Sequence, residues 1–157
     1  MNANQSSTPW PDSAFSFSGS HVRSVDAKGR FNLPFKFLRG ASGPEEEQFM
    51  ISRGADNSLN LMPLSVWTAN ANRLRQKYSG KKLRDFVRKI NSASVAVSPD
   101  SQGRIAVGKE MLMAFGIDKK VEIVGIGDRM ELWDPAALVK ANAVEEDYAD
   151  FDDEFFR

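Results

Sequence analysis

The chain has no cysteine and a single histidine, His21, among its 157 residues. Without cysteine it can form neither disulfides nor thiolate metal sites, which fits a reducing compartment such as the cytoplasm. No acidic cluster of metal-ligand spacing accompanies His21, so we expect no metal and no cofactor. The histidine also has no evident partner that would make it the base for a serine nucleophile. These absences argue against an enzyme.

Long hydrophobic runs are absent as well. No segment approaches the roughly 20 consecutive apolar residues that span a bilayer. Residues 1–9 lack the basic and apolar regions of a signal peptide. We therefore expect a cytoplasmic protein that does not associate with a membrane, with a polar leader over residues 1–18.

Neither sign of charge is in excess, because 21 basic residues balance 21 acidic ones. The two signs are nevertheless separated along the chain. Residues 145–157 hold seven acidic side chains and one arginine, a net charge of −6, so residues 1–144 carry +6. A basic body favours a polyanionic partner such as nucleic acid. The acidic tail is then either a solvated end or a segment that competes with DNA for the basic surface.

One motif occurs twice in the chain. Asp-x-x-Gly-Arg, followed by an apolar residue, a polar or small residue and a second apolar residue, occupies residues 26–33 and again residues 100–107. Aspartate at the first position and glycine at the fourth predict a tight turn. The alternation that follows predicts a half-buried strand. Two similarly oriented arginines on one chain suit a pseudo-symmetric binding protein better than a single catalytic pocket.

The pattern of the first copy turns Phe31 inward and turns Arg30 and Asn32 outward. An arginine held just beyond a rigid turn is well placed to contact guanine edges or phosphate. Lys28 adds charge at the tip of the first turn, where the second copy has the neutral Gln102. If only one copy contacts DNA, we expect it to be the first. The alternative is that both turns are purely architectural.

Each half follows the same predicted order of strand, turn, strand, short helix, β-hairpin and helix. The predicted strands cover residues 22–25, 30–33, 49–52, 59–62, 94–98, 104–107, 121–126 and 130–133. Short helices are predicted over residues 35–39 and 109–115, a loop over 41–48, and helices after Pro63 and from Pro135. One such half cannot bury its apolar face alone. We expect the two halves to interleave into one closed barrel without free edges.

Between the halves, residues 65–90 form a basic amphipathic segment. Its apolar positions recur at helical spacing, and its outer face carries lysine and arginine. This segment is either a solvated helical face or a surface for phosphate or subunit contact.

Three stretches together resemble the MraZ family, bacterial transcriptional regulators encoded at the head of the division and cell wall gene cluster. They are the duplicated Asp-x-x-Gly-Arg, residues 116–125 (Gly-Ile-Asp-Lys-Lys-Val-Glu-Ile-Val-Gly) and residues 128–134 (Asp-Arg-Met-Glu-Leu-Trp-Asp). The resemblance covers roughly residues 17–143. It implies an α+β, mainly β fold. This would be a duplicated AbrB-like, SpoVT-type swapped-hairpin barrel of the double-psi type, with short helices between and after the two halves.

The resemblance also implies a function. A ring of eight or twelve subunits would bind short, G-rich direct repeats of double-stranded DNA in its own promoter, at the nucleoid, and repress that operon. The signature aspartates and arginines map onto Asp26, Arg30, Asp100 and Arg104. Our predicted DNA-binding set adds Lys28, Asn32 and Lys36.

The predicted organisation has five parts: a leader over residues 1–18, a first repeat over 19–70, a basic connector over 71–92, a second repeat over 93–143 and an acidic tail over 144–157. Two alternatives to DNA binding remain open from the residues themselves. One is a small-molecule binder on a duplicated barrel. The other is an antitoxin-like module whose acidic tail engages a toxin.

Overall fold

The computed structural model describes residues 17–38 and 48–157. The first half contains β1 (Phe17–Ser24), β2 (Arg30–Asn32), α1 (Phe35–Leu38), β3 (Phe49–Arg53) and β4 (Leu59–Pro63), followed by α2 (Leu64–Lys77) and α3 (Lys81–Ser92). The second half contains β5 (Val95–Val97), β6 (Arg104–Ala106), α4 (Lys109–Ala114), β7 (Lys120–Gly127), β8 (Met130–Trp133), α5 (Pro135–Asn142) and α6 (Ala149–Phe155). The fold is α+β, and its strand pairs are antiparallel.

Six strands form one sheet in the order β1-β7-β8-β4-β3-β5. The order is symmetric between the two halves. Read from the other edge it is β5-β3-β4-β8-β7-β1, so each position is then held by the corresponding strand of the other half. The first strand of each half pairs with the hairpin of the other half: β1 lies beside β7 and β5 beside β3. The two hairpins meet at β4 and β8 in the centre. Sequence duplication therefore produces strand exchange between the halves.

The closed barrel that we expected is not formed. The six-stranded sheet is open, with β1 and β5 at its edges, and β2 pairs with β6 in a separate two-stranded ribbon. The reason is that the backbone amides and carbonyls of the ribbon hydrogen-bond within the ribbon. The carbonyl of Gly29 accepts from Val107, and the amide of Leu33 donates to the carbonyl of Gly103. These strands of three residues are therefore bonded to each other and do not bridge the two sheet edges.

The core lies between the ribbon and the sheet. Phe31 of β2 and Ile105 of β6 are buried, together with residues from the sheet and the short helices: Phe17, Phe37, Phe49, Ile51, Leu61, Leu112, Ile117, Ile123 and Leu132. The predicted inward side of the first ribbon strand is confirmed. Burying these apolar side chains supplies most of the stabilisation of the fold and fixes the outer face of the ribbon.

Several local predictions are confirmed and several are wrong. Both hairpins and both turns form, and the Asp134 carboxylate accepts from the Ala137 amide at the start of α5, 3.1 Å away. The segment over residues 65–90 is not one helix, since α2 and α3 are separated at residues 78–80. The acidic tail contains a helix, α6, that we did not predict.

Two predicted segments fall largely or wholly outside the described residues. The leader is one of them, except that its last two residues, Phe17 and Ser18, begin β1. The loop over residues 41–48 is the other, apart from Gln48. The predicted end of the first short helix, residues 39–40, also lies outside the described residues.

Candidate nucleic-acid interface

The carboxylate of Asp26 organises the first turn. Its Oδ1 accepts hydrogen bonds from the backbone amides of Lys28 and Arg30, both at 2.9 Å. The backbone closes the same loop twice more, since the Asp26 amide donates to the Arg30 carbonyl at 2.9 Å and the Gly29 amide donates to the Asp26 carbonyl at 3.0 Å. One acidic side chain thus satisfies the amides of the bend and fixes where the next strand starts.

The second turn repeats this hydrogen bonding. Asp100 Oδ1 accepts from the amides of Gln102 and Arg104, again both at 2.9 Å. The Asp100 amide donates to the Arg104 carbonyl at 2.9 Å, and the Gly103 amide donates to the Asp100 carbonyl at 2.9 Å. The duplication seen in the sequence therefore extends to the geometry of the turns.

Each arginine is held by the aspartate of its own turn. Arg30 Nε donates to Asp26 Oδ2 at 2.7 Å, and Arg104 Nε donates to Asp100 Oδ2 at 2.8 Å. The two arginine side chains are 30% and 28% exposed. Because Nε makes the contact, Nη1 and Nη2 keep their donors without a protein partner in the described part of the chain. A planar pair of donors held in place is suited to bidentate recognition of an acceptor pair.

The ribbon brings both arginines to one face. Arg30 pairs with Ala106, and Asn32 pairs with Arg104. Directly opposed residues of an antiparallel pair point to the same side, so these four side chains share the face opposite the buried Phe31. The arginines are diagonal neighbours on that face, which typically places their Cβ atoms about 7–8 Å apart.

Glycine at the end of the first turn allows the two halves to approach each other. Gly29 has φ of +76°, in the left-handed region. A Cβ at this position would lie 2.5 Å from both the Gly108 carbonyl carbon and the Lys109 nitrogen. The Gly29 carbonyl accepts from the amides of Val107 and Gly108 at 3.0 and 3.2 Å. The same glycine thus permits the bend and the contact that sets the separation of the two arginines.

The aspartates remain ionised over a wide pH range. The backbone amide of Arg30 lowers the pKa of Asp26 below its ordinary value, and the Arg30 guanidinium and the Lys28 amide act in the same direction. The amide and guanidinium of Arg104, with the Gln102 amide, lower the pKa of Asp100 in the same way. Each Arg–Asp pair is consequently neutral as a unit. The face offers directed donors rather than a concentration of positive charge.

The other predicted site residues are less well grouped. Asn32 lies on the arginine face, and Lys28 is exposed at the tip of the first turn. Lys36 lies near β1 instead. Its ammonium is 5.5 Å from the centre of the Phe37 ring. It is also next to Gly19 of β1, where an added Cβ would be 3.2 Å from it. Burial, with the nearby Lys36, lowers the pKa of His21.

The hydrogen bonds do not distinguish the first copy from the second, although we expected the first copy to be the better candidate. Among the predicted DNA-binding positions, the copies differ at Lys28, where the second has Gln102, and at Asn32, where the second has Ala106. Sequence reasoning did not place both arginines on one ribbon face. Apolar residues at the first and third positions after the arginine in both copies are the signal that could have indicated their pairing.

Residues 17–38 and 48–157 contain no group of three or more histidine, cysteine, aspartate or glutamate side chains arranged to hold a metal ion. Their helices are also all too short or too polar to cross a bilayer.

Comparison with known proteins gives the family. A family model described as "MraZ protein, putative antitoxin-like" matches residues 91–148. A protein of Acetivibrio thermocellus named transcriptional regulator MraZ is 36% identical over 119 residues, which cover 75% of this chain and 80% of the relative. This chain belongs to the MraZ family. The resemblance seen in the sequence is thereby confirmed, and the AbrB-like relationship is consistent with it.

Other MraZ relatives cover still more of the chain. The Pediococcus pentosaceus protein is 34% identical over 87% of this chain and 92% of its own length. The Cutibacterium acnes protein is 31% identical over 85% of this chain and 93% of its own length. Both are named transcriptional regulator MraZ, so the family is one of regulators and not of enzymes, as the sequence predicted.

Proposed function

We propose that this MraZ-family chain is a sequence-specific DNA-binding transcriptional regulator and that the β2–β6 ribbon is its reading surface. The observation that carries the proposal is the common outer face of the ribbon, where Arg30 and Arg104 are each fixed through Nε by an aspartate. The names of the relatives support the regulatory role.

The ribbon has the dimensions for such contacts. The major groove admits a two-stranded β-ribbon, and arginine there donates to the O6 and N7 of guanine. Each good bidentate pair contributes about 1–3 kcal/mol of discrimination against the wrong base. Asp26 and Asp100 hold the guanidinium groups before DNA arrives, which reduces the loss of side-chain freedom on binding. Lys28, and with it Lys36, would contact phosphates and add a salt-dependent contribution.

Assembly of several copies would convert weak contacts into tight binding. A ring of eight or twelve subunits on spaced, G-rich direct repeats gains affinity through effective concentration. The target would be the promoter of its own division and cell wall operon, with repression as the result, and the protein would act in the cytoplasm at the nucleoid. Each subunit would contribute two AbrB-like repeats, residues 19–70 and 93–143. Their strand exchange is the feature related to swapped-hairpin barrels.

Alanine substitutions in an electrophoretic shift assay on the upstream region test the proposal. Arg30→Ala and Arg104→Ala should each weaken binding about 5- to 150-fold, which corresponds to about 1–3 kcal/mol. Arg129→Ala is the matched control. Arg129 Nε also donates to an aspartate, Asp128, at 2.8 Å, and its side chain is 27% exposed. Arg129 lies at the β7–β8 turn and not on the ribbon, so its loss should leave binding unchanged. Wild-type binding by both ribbon variants would refute the site.

An antitoxin-like role is the second candidate, favoured by the description of the matching family model and by the acidic tail. In this reading the tail binds a small basic partner. Co-purification of such a partner with the full chain, and its loss from a chain ending at residue 143, would support this role over DNA binding.

A further inference from the structure

Helix α3 carries an apolar stripe that the described residues of its own chain cover only in part. The stripe recurs at positions i, i+3, i+4 and i+7, the spacing of one helix face, and consists of Leu83, Phe86, Val87 and Ile90. No residue of α3 is buried, and Phe86 is 49% exposed. Leu83, Val87 and Ile90 are half-buried. An amphipathic helix normally buries such a stripe fully, so this one keeps apolar surface available for a further contact.

Helix α6 presents a second uncovered apolar face, made of aromatic rings. Tyr148, Phe151 and Phe155 are spaced by three and four residues and therefore lie on one side. Phe151 and Phe155 are 72% and 80% exposed. The rings contact only near neighbours in sequence: Tyr148 stacks on Phe151 with centres 6.2 Å apart, and Phe155 meets Phe156 edge-on at 5.0 Å. They form an exposed aromatic face with no ring contact to another element in the described part of the chain.

The two helices carry equal and opposite charge. The sequence of α3 gives a net charge of +4, and that of α6 gives −4. On α3, Asp85 pairs with Lys81 at 2.7 Å and with Arg88 at 3.1 Å. The remaining cations, Lys82, Arg84 and Lys89, make no ion pair within the described residues. Among the acidic groups of α6 only Glu154 has an ion pair, at 3.8 Å to Arg157.

A helix of this length needs a partner. Isolated helices shorter than about 12 residues are marginal in water, whereas α6 has seven residues, three of them aspartate. Docking on a basic, apolar helix would bury the rings and pair the carboxylates, and each effect stabilises α6.

We propose that α6 of one copy docks on α3 of a second copy, with aromatic face against apolar stripe and carboxylates against lysine and arginine. The contact would connect subunits of the proposed assembly. It depends on the proposed function only because it needs a second copy of the chain. It uses neither the ribbon nor DNA.

The sheet order favours a second copy over the same chain. Helix α3 leads into β5 at one edge, whereas α5, which precedes α6, packs against β7, four strands away. Strands are spaced by about 4.8 Å, so this separation is about 19 Å. Residues 143–148 join α5 to α6, and six residues span about 20 Å at most. The described residues of α3 and α6 form ion pairs only with near neighbours in sequence, so the complementary charges of the two helices remain available to a neighbouring copy.

Because α6 and α3 are different surfaces, the contact can run head-to-tail from one copy to the next as well as reciprocally between two copies. Such head-to-tail contacts generate rings when the rotation between copies closes. The tail thus acts as a connecting arm between subunits.

Thiol crosslinking between full-length chains tests the contact directly, because the natural chain has no cysteine to interfere. Lys82→Cys on α3 and Asp153→Cys on α6 are made separately, with one variant tagged, then mixed and treated with a short bis-maleimide. We expect a tagged–untagged dimer. Glu110→Cys on α4, mixed with Asp153→Cys, is the control and should give little of it. Equal yields from both pairs, or a crosslink only when both cysteines are in one chain, would overturn the proposal.

Molar mass in solution provides the second measurement. The double variant Phe151→Ser, Phe155→Ser removes the exposed rings and keeps every charge. The mass of the assembly should then fall by at least one subunit, or the assembly should dissociate at an about tenfold higher protein concentration. Val139→Ser on α5 also removes an exposed apolar side chain and should change nothing. An unchanged mass for the double variant, with no selective crosslink, would refute the contact. Gel shifts with the same variants report on DNA binding separately, so loss of the α6 contact is distinguishable from failure of the ribbon.

Discussion

At the scale of single residues, the aspartates of the two turns are positioning residues. Asp26 and Asp100 each accept two backbone amides and one guanidinium Nε. They neutralise the arginines that they hold, so guanine binding by the proposed reading surface would depend on donor geometry and not on net positive charge.

The ionisation of these aspartates gives a testable pH dependence. Because hydrogen bonds in the folded turn lower the pKa of Asp26 below its ordinary value of 3.8, the turn gains stability above that pH and loses it as the pH falls through the lowered pKa. Carboxyl-carbon NMR titration should give midpoints below 3.8 for both Asp26 and Asp100. Arg30→Ala should raise the Asp26 midpoint and leave that of Asp100 unchanged. Ordinary midpoints in the wild type would contradict the observed hydrogen bonds.

At the scale of elements, the ribbon depends on Gly29 for its attachment to the second half. Gly29→Ala should destabilise the fold by more than the ~1–2 kcal/mol that left-handed backbone costs an L-residue, because its Cβ would also meet backbone at 2.5 Å. Gly116→Ala is the matched control, since Gly116 has a φ of +75° but open space around its Cβ position. Urea unfolding measures both. Equal losses for the two variants would show that the close approach is unimportant.

The sequence predicted elements better than their pairing. Alternation after each Asp-Gly turn placed Phe31 inside, and Asp134 with Pro135 marked the start of α5. Local patterns determine which side of a strand is buried, but pairing depends on contacts distant in sequence. Local sequence patterns therefore could not predict that β1 pairs with β7 or that the sheet stays open. The break between α2 and α3 was missed although Gly80 lies at it, and α6 was missed because its acidic composition resembles a solvated tail.

At the scale of the whole molecule, the proposed assembly predicts a dependence on operator spacing. A probe with two repeats should bind far more than twice as tightly as a probe with one, because the second contact forms at high effective concentration. Inserting about 5 bp, half a helical turn, between the repeats should rotate one of them away from the assembly and remove most of this gain. Gel shifts with the three probes measure it. Equal affinity for all three would exclude simultaneous binding by neighbouring subunits.

The central claim is that the fixed guanidinium groups of the ribbon contact guanine. Replacing repeat guanines with 7-deazaguanine removes the N7 acceptor and leaves the rest of the base pair in place. Combined with Arg30→Ala and Arg104→Ala in a double-mutant cycle, the substitution isolates the contact. We predict that 7-deazaguanine weakens wild-type binding about 5- to 150-fold per contacted guanine and has little further effect on the double variant. Equal losses for wild type and variant would show that the arginines do not read guanine.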